Sequence, residues 1–208
     1  MQKGEPLRRP GAVMFPAEVR AAQQRLGSRA TLAQREEDGG LKQTITEDLA
    51  AFLGARDSVY LATASAEGQP YVQHRGGPPG FLRVLDAHRL GFADFAGNRH
   101  YITLGHLQQN DRVCLFAMDY ANQTRVKVWG RAQVIEEDAA LIGSLVMPGT
   151  RARIERALVI TVEAWDINCH QHIARRYDET VLEAVIGKLQ AKIDALESEV
   201  ARLKAPSG

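Results

Sequence analysis

The sequence contains little cysteine, little net charge and no long apolar run. Cys114 and Cys169 are the two cysteines among 208 residues, too few for a disulfide framework. Lys and Arg number 26 against 25 Asp and Glu, so no overall field attracts nucleic acid or an anionic membrane. No run of about 18 apolar residues could span a bilayer, and residues 1–10 lack the apolar centre of a signal peptide. We therefore expect a cytoplasmic protein with neither nucleic acid nor membrane as a partner.

The composition is that of an ordinary globular protein, with 45% hydrophobic and 25% charged residues. Residues 1–30 carry six cationic side chains against two anionic ones. Two interpretations of this arm are open: a nucleic-acid-binding segment, or a solvated terminus that leads into a helix near Ala17–Leu26. The second is favoured, because the cations are not interleaved with a series of aromatic side chains for base stacking.

The middle of the chain is rich in short β-strands. Thr44 and Glu47 have the spacing of a capping box, which predicts a short helix ending at Gly54. Further helices are predicted near His100–Gln109 and Glu137–Met147. Segments of alternating or β-branched residues predict strands over 58–65, 70–74, 81–85, 90–94, 112–118, 124–134 and 157–167. Many short strands with tight turns and few helices indicate a mainly β protein, a small antiparallel barrel with flanking helices.

The C-terminal tail has a different pattern. Its apolar residues alternate in steps of four and three, which places them in one narrow stripe on a helix. They are Leu182, Ile186, Leu189, Ile193, Leu196, Val200 and Leu203. β-Branched residues at one heptad position and Leu at the other favour a parallel two-stranded coiled coil, although a helix packed on its own barrel is the alternative.

Two loops have the composition of an anion-binding site. The segment from Arg75 to Arg83 contains three glycines and two prolines, which suits a stiff loop whose backbone can approach a ligand but also suits a simple turn. The second segment, Gly97-Asn98-Arg99-His100, lies where a strand changes to a helix. Its amide, guanidinium and imidazole groups favour a phosphate ligand.

Two further segments are open to a functional or a structural interpretation. Arg125 and Lys127 share one face of a predicted strand, where they are either solvated or placed beside a ring system on which negative charge develops. Cys169, His170 and His172 include metal-ligand residue types, but their spacing does not match a zinc site, and we predict no metal.

Residues 58–176 resemble the FMN-binding split-barrel family whose best-known member is pyridoxamine 5'-phosphate oxidase. Gly97 to His100 correspond to the family's Gly-Ser-Arg-Lys pattern, which holds the FMN phosphate. The strand ending in Phe81, Leu82 and Arg83 resembles the segment along the flavin, and Arg125 falls where the family has a glutamine near the ring. Trp165 and Arg175 correspond to a tryptophan and an arginine ten residues later at the flavin edge.

The sequence also departs from that family. Gln171-His172-Ile173 stands where the oxidase has an Arg-Leu-His triplet that grips the phosphate of its substrate. Loss of a charge-assisted phosphate contact should cost a few kcal/mol, so oxidation of vitamin B6 is disfavoured. His100 replaces a lysine, which makes the phosphate site dependent on pH.

The resemblance implies a split β-barrel homodimer with FMN at the subunit interface and an oxidoreductase activity with a nicotinamide as a possible electron donor. The alternative is a non-catalytic barrel that carries flavin or haem. The expected organisation is an N-terminal arm with helices over 1–54, the FMN-binding barrel over 55–178 and a coiled-coil helix over 179–208. The expected cofactor-binding residues are Arg75, Gly80, Phe81, Leu82, Arg83, Asn98, Arg99, His100, Arg125, Trp165 and Arg175.

Overall fold

A computed structural model describes residues 7–168 and 171–204. The chain divides into two compact units, one of residues 1–119 and 124–170, the other of residues 120–123 and 171–208. The first unit contains seven strands: β1 (Ser58–Ala64), β2 (Pro70–Gly76), β3 (Arg83–Val84), β4 (Arg89–Phe95), β5 (Arg112–Asp119), β6 (Thr124–Ile135) and β7 (Ile154–Asn168). Its helices are α1 (Pro10–Met14), α2 (Ala17–Arg25), α3 (Arg29–Glu37), α4 (Glu47–Gly54), α5 (Ile102–Leu107) and α6 (Ala139–Leu145).

The seven strands form one antiparallel sheet in the order β2-β1-β5-β6-β7-β4-β3. β2 is at one edge and β4 lies next to the other edge. Arg75 of β2 nevertheless forms an ion pair with Asp94 of β4, so the sheet curls until its two sides meet without a continuous hydrogen-bonded ladder. This is a split β-barrel, as the sequence predicts.

The barrel interior holds the main apolar core. Val59 and Leu61 of β1, Leu115 of β5 and Val128 of β6 are fully buried, and helix α4 adds Leu53. Alternate residues of these strands are buried, which is the pattern of a sheet with one face toward the core. Between Trp129 and Gly130 the register of β6 against β7 shifts by a bulge.

The predicted elements form, with several different boundaries. Helix α4 begins two residues later than the capping box predicts, because Thr46 is its N-cap and accepts from the Leu49 N–H at 3.3 Å. The chain before it is extended: Lys42 bridges to Trp165, and the Ile45 N–H donates to the Ala87 carbonyl at 2.8 Å. The strand predicted over 81–85 is reduced to Arg83–Val84. α1 and α3 were not predicted.

The N-terminal segment attaches to the barrel by ion pairs from Arg8, which precedes α1, and from Arg35 of α3. Arg8 Nε donates to Glu163 Oε1 of β7 at 3.1 Å, and Arg131 Nε lies 3.3 Å from the same oxygen. Arg35 Nη2 donates to Asp166 Oδ1 at 2.6 Å. Within the basic arm of residues 1–30, Arg8 thus pairs with a buried carboxylate of the sheet, so this charge has a structural role and is not simply solvated.

The second unit consists of the 120–123 turn and the chain from Gln171 onward. Its main element is helix α7 (Glu179–Lys204), and every residue of this helix is exposed. The exposed fractions of the apolar stripe include 57% at Leu189 and 56% at Leu196. No helix in the described part of the chain is long and apolar enough to cross a bilayer.

Candidate functional site

A pocket of about 210 Å³ lies where the two sides of the curled sheet meet. Side chains of β2, among them Gln73 and Arg75, line one wall, and Phe92 and Asp94 of β4 line the other. Residues 97–101, which we call the anion loop, line the mouth together with the start of α5. The pocket is thus formed by elements that are distant in the sheet order and are brought together by its curvature.

The base of the pocket carries a buried charge cluster. Arg75 pairs with Asp94 Oδ1, and Arg156 Nη1 of β7 lies 3.7 Å from Asp94 Oδ2. The Arg75 side chain is 14% exposed and lies over the Phe92 ring, 5.8 Å from its centroid. Its buried Nε has no hydrogen-bond partner among the residues that the structure describes. Three arginines and one aspartate line the pocket, so its lining carries an excess of positive charge.

The anion loop has an unusual backbone. Gly97, Arg99 and Tyr101 have φ values of +46°, +58° and +52°, in the left-handed region. For a residue with a side chain this conformation costs roughly 1–2 kcal/mol. Asn98 Oδ1 accepts from the His100 N–H at 3.2 Å and stabilises the turn. The side chains of Asn98, Arg99 and His100 are exposed and can meet a ligand from solvent.

Helix α5, which follows the loop, is fixed to the β2 side of the pocket. Thr103 Oγ1 donates to Gln73 Oε1 of β2 at 2.9 Å. A hydrogen bond of 3.0 Å joins His106 Nδ1 to Thr63 Oγ1 of β1. The helix begins at Ile102, two residues later than predicted, because the left-handed residues Arg99 and Tyr101 precede it.

The structure brings five of the predicted site residues to this pocket. They are Arg75, Phe81, Asn98, Arg99 and His100.

Three other predicted residues lie close in sequence but have different surroundings. Leu82 is 2% exposed and belongs to the barrel core. Arg83 is exposed and its Nη2 lies 3.7 Å from Met147 Sδ. Gly80 has a φ of +91°, so it occupies a turn position that favours glycine.

The remaining predicted residues are spread over the chain. Arg125 is half-buried on the outer face of β6, where it alternates with the buried Val126. Trp165 is 3% exposed within the core, and its Nε1 donates to the Thr44 carbonyl at 2.9 Å. Arg175 belongs to the second unit, where its Nε donates to Gln123 Oε1 at 3.1 Å.

Residues with metal-ligand or nucleophilic side chains do not form a second site in the described chain. Cys169 and His170 lie outside the described residues. Within residues 7–168 and 171–204, no three His, Cys, Asp or Glu side chains come together as a metal site. Burial raises the pKa of the Cys114 thiol, which keeps it protonated and disfavours it as a nucleophile.

Asp94, Tyr101 and Arg156 were not among the predicted site residues. Asp94 and Arg156 face each other in the β4–β7 register. Their opposite charges predict a contact only once β4 and β7 are known to pair, because the sequence contains many other pairs of opposite charges. Tyr101 directly follows the predicted phosphate motif, so its position in the sequence could have identified it as a site residue.

The family model for pyridoxamine 5'-phosphate oxidase matches residues 45–169, more than half of the chain. A variant of HupZ from Group A Streptococcus is similar in structure, with a TM-score of 0.50 and 17% identity over 60% of this chain and 99% of that one. This likeness supports the fold alone.

Two other solved structures are similar at lower TM-scores. A proposed pyridoxamine 5'-phosphate oxidase from Lactobacillus delbrueckii is 25% identical over 60% of this chain and 95% of its own, with a TM-score of 0.46. An FMN-binding protein from Syntrophomonas wolfei is 10% identical over 70% of this chain and 97% of its own, with a TM-score of 0.47. No curated protein matches the chain.

Proposed function

The chain belongs to the pyridoxamine 5'-phosphate oxidase family, and we propose that it is an FMN-binding oxidoreductase whose pocket holds the phosphate of the cofactor at the anion loop. The observation that carries this proposal is the position of Asn98, Arg99 and His100 at the mouth of a pocket lined by three arginines and one aspartate. A phosphate dianion is favoured at such a site, because charge-assisted hydrogen bonds to it are stronger than neutral ones.

The residues present fit the phosphate end of FMN. The Arg99 guanidinium offers planar paired donors, and the Asn98 amide can donate while its oxygen holds the His100 N–H. The His100 imidazole adds a further hydrogen-bond donor. Deeper in the pocket, the unpaired Arg75 Nε is a further donor, and Phe92 and Phe81 offer apolar surface. FMN, when bound, supplies hydride or electron transfer through its own ring, and the protein orients it.

The pocket of one chain is smaller than the whole cofactor needs. Its volume is about 210 Å³, whereas pockets that enclose small-molecule ligands span about 300–1,000 Å³. The flavin ring therefore requires additional surface, and a second copy of the chain can provide it. We include a homodimer in the proposal for this reason.

The outer face of the β2-β1-β5-β6 part of the sheet supports this dimer. Val72 and Tyr60 on this face are 59% and 41% exposed, and Phe116 and Trp129 are half-buried. The strand register sets Tyr60 opposite Phe116, so these side chains form a contiguous apolar patch. Such a patch on a soluble protein is typical of an interaction surface.

Arg125 and Lys127 lie on the same outer face, since they alternate with buried residues of β6. If two chains pair through this face, Arg125 is positioned to act on the partner's ligand rather than on its own. It would then stabilise negative charge that develops on a reduced ring. In the proposed dimer Arg125 would reach the ring of the partner's ligand, although it lies outside the pocket of its own chain.

Helix α7 offers a second contact between copies. Its apolar stripe is exposed throughout. In the heptad pattern Lys192 and Glu197 take positions from which opposite charges pair across a parallel dimer. Leu189→Glu should therefore lower the mass in solution at low protein concentration, whereas Ala191→Glu, on the side opposite the stripe, should leave it unchanged.

The proposed cofactor is tested by the colour of the purified protein and by the mass of the compound released on denaturation. We expect flavin absorbance and FMN. Arg99→Ala should abolish retention of FMN, and Arg25→Ala, an exposed arginine at the end of α2, should not. A colourless wild-type protein that does not bind added FMN would contradict the proposal.

A further inference from the structure

The side of the anion loop that faces β7 is held by three side chains, which we call the β7 clasp: Tyr101, Glu155 and Arg156. The Arg156 guanidinium lies over the Tyr101 ring, 5.3 Å from its centroid. The Tyr101 hydroxyl donates to Glu155 Oε2 at 3.4 Å, and the same oxygen accepts from Arg156 Nη2 at 2.7 Å. Each member of the clasp therefore contacts both of the others.

The clasp has a firm base on the sheet. Arg156 is 8% exposed, and its Nε lies 3.1 Å from Glu136 Oε1 in an ion pair that does not have hydrogen-bond geometry. Its Nη1 is 3.7 Å from Asp94, the carboxylate that also pairs with Arg75. Since a guanidinium with several fixed partners loses little freedom when it makes one more contact, Arg156 is suited to hold an exposed side chain in place.

Tyr101 needs such a contact. It adopts a left-handed backbone conformation, and it is 43% exposed, so burial alone does not keep it there. Arg99, two residues earlier, has the same unfavourable conformation. Residues held in sparsely populated conformations persist where the surroundings fix them, and such positions cluster at ligand-binding sites.

We propose that Tyr101 and Arg156 are positioning residues, which set the anion loop so that Asn98, Arg99 and His100 can meet a phosphate group. The inference rests on the proposed binding of FMN. The loop continues into α5, which is fixed to Gln73 of β2, while the clasp fixes it to β7. The loop thus connects the two sides of the split, and the phosphate site is formed where the barrel closes.

The experiment compares the affinity for FMN with that for riboflavin, which lacks the phosphate. Tyr101→Leu removes the stacked ring, and Tyr101→Phe keeps it. We expect Tyr101→Leu to raise the Kd for FMN by about tenfold or more while the Kd for riboflavin stays unchanged, because a charge-assisted contact to the phosphate is weakened. Tyr101→Phe should bind FMN nearly as the wild type does. The matched control is Tyr120→Leu, which removes another tyrosine that stacks with an arginine. The Arg176 guanidinium carbon lies 4.5 Å from the centroid of the Tyr120 ring.

A second variant separates the clasp from backbone strain. Glycine adopts a positive φ without the side-chain penalty, so Tyr101→Gly should bind FMN at least as tightly as the wild type if strain alone matters. The proposal instead expects it to bind as weakly as Tyr101→Leu. Arg156→Met should weaken FMN binding in the same way, but it removes a buried charge, so the exposed Tyr101 variants carry the test if it does not fold.

The outcomes distinguish this inference from the function on which it rests. If Tyr101→Leu binds FMN as the wild type does while Arg99→Ala does not, the clasp has no positioning role and FMN binding stands. If Tyr101→Leu weakens FMN and riboflavin equally, the residue supports the pocket in general and the inference is overturned. If the wild type binds neither compound, the proposed function fails and this inference fails with it.

Discussion

Asp94→Asn should show how strongly the ion pair at the base of the pocket holds the two sides of the barrel together. Asp94 is 8% exposed and contacts Arg75 of β2 and Arg156 of β7. Asparagine has nearly the same shape, so the substitution removes the negative charge and leaves little cavity. The Arg75 guanidinium, 14% exposed, then loses the carboxylate with which it pairs.

Removing one partner of a buried ion pair costs about 3–5 kcal/mol. Arg156 keeps its contacts with Glu136 and Glu155, so we expect a loss at the lower end of that range, about 3 kcal/mol. For a domain of this size each kcal/mol corresponds to about 2–4 °C in Tm, which gives a decrease of about 6–12 °C.

The assay is urea unfolding of the ligand-free protein, monitored by tryptophan fluorescence. Asp86→Asn is the matched control: Asp86 pairs with Arg89 at 2.6 Å, but both side chains are exposed, at 42% and 54%. We expect it to lose less than about 1 kcal/mol. Equal unfolding free energies for the two variants would refute the argument that the Arg75–Asp94 pair closes the barrel.

Three other outcomes are expected. Burial by itself would raise the pKa of Glu163, but hydrogen bonds and charge from Arg8 and Arg131 outweigh it and hold that pKa below its usual value. The ionised Glu163 therefore stabilises the fold above about pH 4.3, and this stabilisation is lost as the pH falls through the lowered pKa. Glu163→Gln should reduce the decrease in unfolding free energy over this acidic range. An unchanged decrease would contradict the assignment of this stabilisation to the pairing of Glu163 with Arg8 and Arg131. Val72→Arg, at an exposed position of the outer sheet face, should convert the proposed dimer to monomer in light scattering when it is combined with Leu189→Glu, which removes the second contact; a mass equal to that of Leu189→Glu alone would exclude this face as the interface. Reduced nicotinamide should be oxidised faster with protein and FMN than with free FMN, and equal rates would favour a carrier role.

The sequence predicts most of the sheet because the strands carry their own periodic pattern. β5 alternates buried side chains with exposed or half-buried ones along its whole length, and β6 alternates buried with half-buried residues from Arg125 to Ala132. Such alternation is readable without tertiary information. The sequence predicts the end of helix α4 correctly but not its start. Thr44 and Thr46 are both competent N-caps, and the extended pairing of Lys42 with Trp165 selects the second.

The site was harder to predict, because its residues meet only through the curvature of the sheet. The proposed phosphate motif can be read from the sequence alone, since its residues are consecutive. The Asp94–Arg156 contact depends on the pairing of β4 with β7, and the position of Trp165 in the core depends on the bulge at Gly130. A Cβ at Gly130 would lie 2.2 Å from the Thr161 carbonyl oxygen, so the two backbones approach closely at the bulge. The hydrophobic pattern of the sequence does not predict this close approach.

The most direct measurement is the ratio of the Kd values for riboflavin and FMN, in the wild type and in Arg99→Ala. Two charge-assisted contacts to the phosphate are worth about 1.5–3 kcal/mol each, so FMN should bind the wild type at least about 100-fold more tightly than riboflavin. Arg99→Ala should remove most of that difference without changing riboflavin binding. Equal affinity of the wild type for the two compounds would contradict a phosphate site at the anion loop.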